Sequence, residues 1–207
     1  MRLHVPIGLA IAVPPLFFWE RNSEETLRIA HARSFHPRHA TTCMCLQILE
    51  ETIREFGCEK LLDVGCGSGI LALAAAFMGV EKAIGIDVTL RGIRESIANA
   101  ELNSLTHKTR WIVGSTGSIR GSFPCVVANL RTEILGQMLK DLVRLTSEEG
   151  GKLILSGFHD IDRPHLETRW AAMGMRLEQI SMRDQSFFGI PPSGSFTWGA
   201  ARLCRDI

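Results

Sequence analysis

Short apolar runs alternate with segments of helical periodicity along the chain from about residue 60 onward. Runs rich in Val, Ile and Leu predict strands, because such side chains suit a pleated and buried surface. These runs occupy 60–64, 82–87, 110–115, 124–130 and 150–158. Helical segments separate them, so the pattern favours a parallel sheet with helices packed on its faces.

The clearest amphipathic helix follows the fourth predicted strand. Its apolar residues recur at intervals that place them on one helical face. They are Ile134, Leu135, Met138, Leu139, Leu142 and Val143. Another helix is predicted over 90–105, with Ile93, Ile97 and Ala100 on its buried face.

The end of the chain carries two strand-like segments with no helical segment between them. They cover 176–184 and 195–204, and they are joined through 185–194. Neighbouring strands that are joined without a crossover helix run antiparallel. The sequence therefore predicts an α/β fold whose sheet is parallel except near its end.

The composition excludes several classes of protein. With 207 residues and 45% hydrophobic content, the chain fits one globular domain with a full core. Its 23 Lys and Arg against 22 Asp and Glu leave no broad basic field for duplex nucleic acid or an anionic membrane. The apolar stretch 5–18 contains three prolines and is shorter than the roughly 20 residues of a membrane-spanning helix. We therefore expect no membrane segment and no cleaved signal peptide.

The six cysteines show neither a CxxC pair nor the spacing of a zinc site. They lie mostly in apolar or helical segments, which favours reduced, buried thiols and a cytoplasmic protein. His31, His36 and His39 lie close in sequence, but no cysteine or acid accompanies them at a suitable spacing. We predict that the chain holds no metal.

A glycine-rich turn stands between the first predicted strand and the helix that follows it. In "LLDVGCGSGILALA", residues 61–74, Asp63 ends the strand and Gly65, Gly67 and Gly69 lead into the helix. Without a Cβ, these glycines let backbone N–H groups and the helix N-terminus approach a ligand. In the dinucleotide fingerprint the third glycine falls one residue later, so this spacing disfavours a pyrophosphate.

An acid also ends the second predicted strand. Asp87 stands where a carboxylate can accept hydrogen bonds from both hydroxyls of a ribose. A solvated acid at a strand tip is the alternative interpretation. The glycine turn upstream favours the first interpretation, so we expect a nucleoside-containing ligand at this edge of the sheet.

Three segments resemble the class-I S-adenosylmethionine-dependent methyltransferases, namely "DVGCGSGILALAAAFMG", "GIDV" and "ANAELN". Within that superfamily, residues 35–158 resemble the PrmA family, which trimethylates ribosomal protein L11, through "HATT", "GSGIL", "NAELN", "VVANLRTEIL" and "GGKLILSGF". The resemblance implies a doubly wound, Rossmann-like α/β fold. Its sheet is expected to have seven strands, mostly parallel, with one late antiparallel strand.

The resemblance also implies roles for individual residues. The residues expected around the methionyl end of S-adenosylmethionine are Asp63, Gly65, Gly67 and Gly69. Asp87 is expected to hold the ribose, and Thr42 is a further candidate cofactor contact. The candidates for the substrate loop are His39, Thr41 and Leu130, and the residue beside the reacting centre is Asn129.

A neutral amide suits the position of Asn129. An amide can orient an amine by hydrogen bonding, whereas a carboxylate favours the unreactive ammonium form. An asparagine that merely ends a strand is the alternative. Asn129-Leu130-Arg131-Thr132 differs from the Asn-Pro-Pro-aromatic motif of the adenine-methylating and glutamine-methylating branches, which disfavours those substrates.

The chain departs from the family pattern in two loops. Between Phe35 and His39 the family usually has a Gly-Thr-Gly turn, and this chain has a shorter one of His36, Pro37 and Arg38. After the third predicted strand, related enzymes often carry an acid that contacts adenine. This chain has Ser115 there, and we take its hydroxyl as a candidate cofactor contact.

The N-terminal part also differs from the family, which presents its substrate with a separate N-terminal domain. We interpret 1–33 as an N-terminal extension and 34–207 as the methyltransferase domain. The expected activity is N-methylation of a protein amine, with S-adenosylmethionine as cofactor and S-adenosylhomocysteine as product. The alternatives are methylation of a small molecule and a module that binds the cofactor without turnover. The oligomeric state is left open.

Overall fold

The computed structural model describes residues 2–4, 10–12, 26–30, 37–185 and 195–205. Near the N-terminus lie three short strands, β1 (Arg2–His4), β2 (Ala10–Ala12) and β3 (Thr26–Arg28). They form a small sheet in the order β1-β2-β3, with β1 antiparallel and β3 parallel to β2.

The main sheet has seven strands within the described ranges. They are β4 (Lys60–Val64), β5 (Lys82–Asp87), β6 (Thr109–Val113), β7 (Cys125–Asn129), β8 (Lys152–His159), β9 (Met175–Asp184) and β10 (Thr197–Arg205). The helices described are α1 (Ala40–Phe56), α2 (Ile70–Phe77), α3 (Leu90–Leu102), α4 (Thr132–Leu145) and α5 (Arg163–Ala172). None of these helices has the length and apolarity needed to cross a bilayer.

The main sheet has the strand order β6-β5-β4-β7-β8-β10-β9. Strand β10 runs antiparallel to both of its neighbours, and the other pairings are parallel. This confirms the prediction of a doubly wound, mostly parallel, seven-stranded sheet with one late antiparallel strand. The strand order reverses at β4, and sheets of this kind bind ligands beyond the carboxyl ends of their strands at such a point.

Two hydrophobic clusters cover the two faces of the sheet. Because side chains alternate along a strand, Leu61 joins the cluster formed with α1 and α2, and Leu62 joins the cluster formed with α4 and α5. Val127 and Val126 divide in the same way. Burial on both faces explains why the parallel strands read as continuous apolar runs.

The prediction for the buried face of α3 is partly wrong. Ile93 and Ala100 are buried, but Ile97 is 39% exposed. The buried positions between them belong to Ser96 and Asn99. Polar side chains inside a protein need hydrogen-bond partners, and both of these find them in the glycine turn described below.

Residues 26–30 lie against the core on one face of the main sheet. Leu27 and Ile29 are fully buried in the cluster that includes α1 and α2. Asn103, directly after α3, accepts a hydrogen bond from the Arg28 N–H at 2.8 Å. Its amide nitrogen donates to the Arg28 carbonyl at 2.7 Å. The boundary between residues 33 and 34 stays a prediction, and the adjoining residues 31–36 lie outside the described ranges.

A bulge bends β8 beside the end of β7. The register of β10 passes from Phe158 to Ser156, so Gly157 has no partner in the ladder. Gly157 has a φ of 101°, and a Cβ there would collide with the carbonyl group of Leu130. Glycine is therefore required at this crossing, where the Leu130 N–H also donates to the Ser156 carbonyl at 3.0 Å.

Candidate active site

A cleft of about 790 Å³ opens at the carboxyl ends of the central strands. Its walls are the glycine turn after β4, the tip of β5, the turn after β6 and one face of α4 from Ile134 to Asp141. This is the place where the strand order reverses. The cleft therefore lies at the position where sheets of this kind bind their ligands.

The glycine turn forms one wall of the cleft through Gly65 and Gly67. Both have positive φ, 73° and 51°, so both adopt a backbone conformation that suits glycine. A Cβ on Gly65 would run into the side chain of Leu130, which also lines the cleft. Gly69 is away from the cleft lining, and a Cβ there would lie 2.6 Å from the ring of Trp111. Gly69 also has a φ of 77°, so both its backbone conformation and packing at the start of α2 favour glycine there.

Helix α3 holds the glycine turn from behind. The Ser96 hydroxyl donates to the Gly67 carbonyl at 2.8 Å, and the Asn99 amide donates to the Ser68 carbonyl at 2.9 Å. Asn99 also accepts from the Ala30 N–H at 3.1 Å, so it links the turn to the N-terminal segment. Sequence reasoning missed these two residues, although polar residues at core positions of a helix were an available signal.

Asp87 lines the cleft at the tip of β5 and is already held in place by the backbone. One carboxylate oxygen accepts from the Gly67 N–H at 2.9 Å. The other accepts from the N–H and the hydroxyl of Thr89 at 2.8 and 2.7 Å. A carboxylate oxygen accepts more than one hydrogen bond, so the group keeps capacity for a ligand hydroxyl in the cleft.

Asp63 lies behind the glycine turn, among the buried residues, and is away from the cleft lining. Its carboxylate accepts from the Ala72 N–H in the first turn of α2 at 3.2 Å. Burial raises the pKa of Asp63 to about 7, against the lowering effect of that N–H, and the nearby charge of Asp87 adds to the rise. Its contacts fix the start of α2, on which the turn depends.

The raised pKa of Asp63 predicts a pH-dependent stability. Between about pH 4 and pH 7 the folded chain holds a proton that the unfolded chain has released, so the free energy of unfolding falls as pH rises and levels off above pH 7. The loss is on the order of 4 kcal/mol for a shift of this size. Urea unfolding at pH 5, 6, 7 and 8 measures the part of this loss above pH 5, on the order of 3 kcal/mol. The same series for Asp63→Asn should lack this fall, and parallel curves for both proteins would contradict the assignment.

Asn129 ends β7 directly before Leu130 and is 7% exposed. Its amide nitrogen donates to the Thr42 hydroxyl of α1 at 3.2 Å. Its amide oxygen is buried and has no hydrogen-bond partner. Leaving a buried acceptor unpaired costs about 1–3 kcal/mol. A ligand donor that meets this oxygen would recover that cost.

The N-terminus of α1 lies beside the ends of β8 and β10. His39 caps the helix, with its Nδ1 2.8 Å from the Thr41 hydroxyl, and its ring packs edge-on against Trp198 at 5.0 Å. Trp198 also contacts the ring of His159 at 3.8 Å. The Ser156 hydroxyl donates to the Thr41 carbonyl at 3.2 Å. Sequence reasoning missed Trp198 and His159. Residues 186–194, in the connection between the two late strands, lie outside the described residues.

The structure thus divides the predicted site residues into three groups. Those at the cleft are Gly65, Gly67, Asp87, Ser115 and Leu130. Those behind the glycine turn are Asp63 and Gly69. Those at the junction of α1 with β7 and β8 are Asn129, Thr42, Thr41 and His39. Their roles toward a cofactor or substrate stay predictions.

Within the described ranges, no group of three or more His, Cys, Asp or Glu side chains has the arrangement of a metal site. His31 and His36 fall outside those ranges. All six cysteines are free thiols, and four of them are buried.

The sheet order, the glycine turn and the strand-tip acid define a Rossmann-like fold of the class-I methyltransferase type. The family model for ribosomal protein L11 methyltransferase (PrmA) matches residues 37–185, and the chain belongs to that family. It is 36% identical over 165 residues to the ribosomal protein L11 methyltransferase of Sorangium cellulosum, covering 79% of this chain and 52% of that one. The corresponding protein of Nitratiruptor sp. is 35% identical over 159 residues, covering 76% and 55%. The chain thus spans about half the length of these curated relatives.

Solved structures show the same fold. A ribosomal protein L11 methylase from Lactobacillus delbrueckii subsp. bulgaricus superposes with a TM-score of 0.80 at 22% identity, covering 100% of this chain and 99% of that one. A SAM-dependent methyltransferase from Geobacter sulfurreducens, in complex with S-adenosyl-L-homocysteine, gives 0.63 at 16% identity, covering 86% and 95%. At these identities the likeness concerns the fold.

Proposed function

We propose that this protein transfers a methyl group from S-adenosylmethionine to a nitrogen of a protein, with ribosomal protein L11 as the first acceptor to test. The observation that carries the proposal is the buried, unpaired amide oxygen of Asn129, whose neighbour in the chain, Leu130, lines the cleft. It offers an acceptor for the N–H of an amine. The family to which the chain belongs supplies the class of acceptor.

The described residues fit the cofactor. Gly65 and Gly67 leave a wall without Cβ atoms for the methionyl end, and any larger residue at position 65 would meet Leu130. Asp87 is oriented by Gly67 and Thr89 for the ribose hydroxyls. Ser115 lies in the cleft at the turn after β6. When bound, the cofactor supplies a methyl group already activated on a sulfonium.

The protein's own task is then to position the acceptor and keep it unprotonated. The Asn129 oxygen would accept an N–H, which aims the nitrogen lone pair away from that bond, and Thr42 would hold the amide in this orientation. A neutral amide in a buried site stabilises ammonium much less than a carboxylate would. Positioning of this kind can lower a barrier by about 7–11 kcal/mol, so no carboxylate base is needed.

The site of action that we propose is the cytoplasm, where free thiols persist. The near-zero net charge supports a protein or small-molecule acceptor over duplex nucleic acid.

Label transfer tests the proposal. Purified protein is incubated with S-adenosylmethionine tritiated in its methyl group, once with purified ribosomal protein L11 and once with the small-molecule fraction of a lysate. We expect counts in acid-precipitable L11, at amine nitrogens located by mass spectrometry. Counts only in the soluble pool would favour the small-molecule alternative. Absence of label in both, with S-adenosylhomocysteine still bound, would indicate a binding module.

A further inference from the structure

The end of the cleft at the turn after β6 combines an apolar wall with one carboxylate. Ile134, Met138 and Asp141 project from one face of α4 at intervals of four and three residues, and all three line the cleft. Opposite them lies the turn that follows β6, which includes Ser115 and Thr116. Among the described residues that line the cleft, Asp87 and Asp141 are the acids.

Asp141 is fixed by contacts from both the turn and its own helix. The Thr116 hydroxyl donates to one carboxylate oxygen at 2.7 Å, and Arg144 donates to the other at 3.4 Å. Arg144 also donates to the Thr116 carbonyl at 3.1 Å, which closes a small network. The side chain of Asp141 is still 47% exposed, so the carboxylate is oriented but accessible.

Stability alone does not account for this arrangement. The Arg144 side chain is itself 45% exposed, and an exposed ion pair between residues three apart contributes little to folding. A carboxylate held at the wall of a cleft is an acceptor of hydrogen bonds and nothing else while it is ionised. It therefore selects ligands that present N–H or O–H donors at this point and opposes ligands that present a carbonyl oxygen.

We propose that Asp141 accepts a hydrogen bond from the exocyclic amino group of the cofactor's adenine, with the ring lying against Ile134 and Met138. This inference rests on the proposed function. The ribose is assigned to Asp87 at the tip of β5. The adjoining end of the cleft, at β6, is therefore the part available to the adenine base. Related enzymes often have an acid at the position that Ser115 occupies after β6. In this chain Asp141 provides a carboxylate from α4 instead. The residue determines specificity for an amino-purine over an oxo-purine.

Two ligands that differ at the C6–N1 edge of the purine test the inference, since adenine has an amino donor at C6 and an acceptor at N1, and hypoxanthine has the reverse. S-adenosylhomocysteine carries an amino group where S-inosylhomocysteine carries a keto oxygen. By calorimetric titration, the wild-type protein should bind the adenosyl compound at least tenfold more tightly. Asp141→Asn, whose amide also donates, should reduce this preference at least fivefold. Asp141→Ala should weaken binding of the adenosyl compound while leaving the inosyl compound nearly unchanged.

Glu133→Gln, in the first turn of α4 and away from the cleft lining, is the matched control and should keep the wild-type preference. An unchanged preference in both Asp141 variants, with tight binding of S-adenosylhomocysteine retained, would overturn the role of Asp141 and leave the proposed function standing. A wild-type protein that binds neither compound would overturn both. Because Asp141 is half exposed on a helix, folding of the variants is checked by their thermal unfolding.

Discussion

Replacing Asp87 by alanine is expected to lower the affinity for S-adenosylhomocysteine by about 100-fold or more. Hydrogen bonds that involve a charged group contribute about 1.5–3 kcal/mol each, and two ribose hydroxyls would lose their acceptor. The substitution also removes the carboxylate oxygen that accepts from the Gly67 N–H at 2.9 Å, so the glycine turn loses a hydrogen bond that holds it in place. Calorimetric titration of the purified variant measures the loss directly.

Two further variants separate the ribose contact from loss of structure. Asp87→Asn keeps one oxygen acceptor and should fall between the wild type and Asp87→Ala. Glu81→Gln changes an exposed acid just before β5 and should bind normally. If Asp87→Ala binds the compound within twofold of the wild type, the carboxylate does not hold the ribose and the assignment is wrong.

Replacing Asn129 by alanine is expected to lower kcat for methyl transfer by about 100-fold while the affinity for S-adenosylhomocysteine stays within threefold. Misplacement of a reacting group by about 1 Å can reduce a rate to this extent. The substitution removes the amide oxygen that would accept the amine N–H, and it leaves the glycine turn and Asp87 untouched. Single-turnover assays with a saturating protein acceptor, together with titration, supply both numbers.

Thr42→Val is expected to cause a smaller loss of turnover than Asn129→Ala. It keeps the size of the side chain but removes the hydroxyl 3.2 Å from the Asn129 amide nitrogen. The amide stays in place with a weaker orientation, so a loss of about tenfold in kcat is expected. Equal losses of turnover and of binding in Asn129→Ala would instead assign this residue a structural role.

Much of the fold could be predicted because its signals are local. Burial on both faces makes each parallel strand an apolar run, and the amphipathic helix α4 repeats its apolar residues with helical spacing. The glycine turn could also be predicted from sequence, because the positive φ of Gly65 and Gly67 is a backbone conformation that strongly favours glycine. Asp87 could be predicted because sheets of this kind bind ligands at the strand tips where the strand order reverses.

The residues that the sequence did not reveal act through contacts far along the chain. Ser96 and Asn99 occupy core positions of α3 because they bind carbonyls about 30 residues upstream, and periodicity alone assigned that face to Ile97. Trp111 explains Gly69 only once β6 is placed near the start of α2. Asp141 appears as an ordinary surface acid of an amphipathic helix until the turn after β6 brings Thr116 to it.

The central claim is that the cleft between the glycine turn and α4 binds S-adenosylmethionine, and titration of the wild-type protein with S-adenosylhomocysteine tests it most directly. The account predicts saturable binding at micromolar concentration with one site per chain, and loss of the signal in Asp87→Ala. Absence of saturable binding by a folded protein would contradict the claim, and the function would then have to lie outside this cleft.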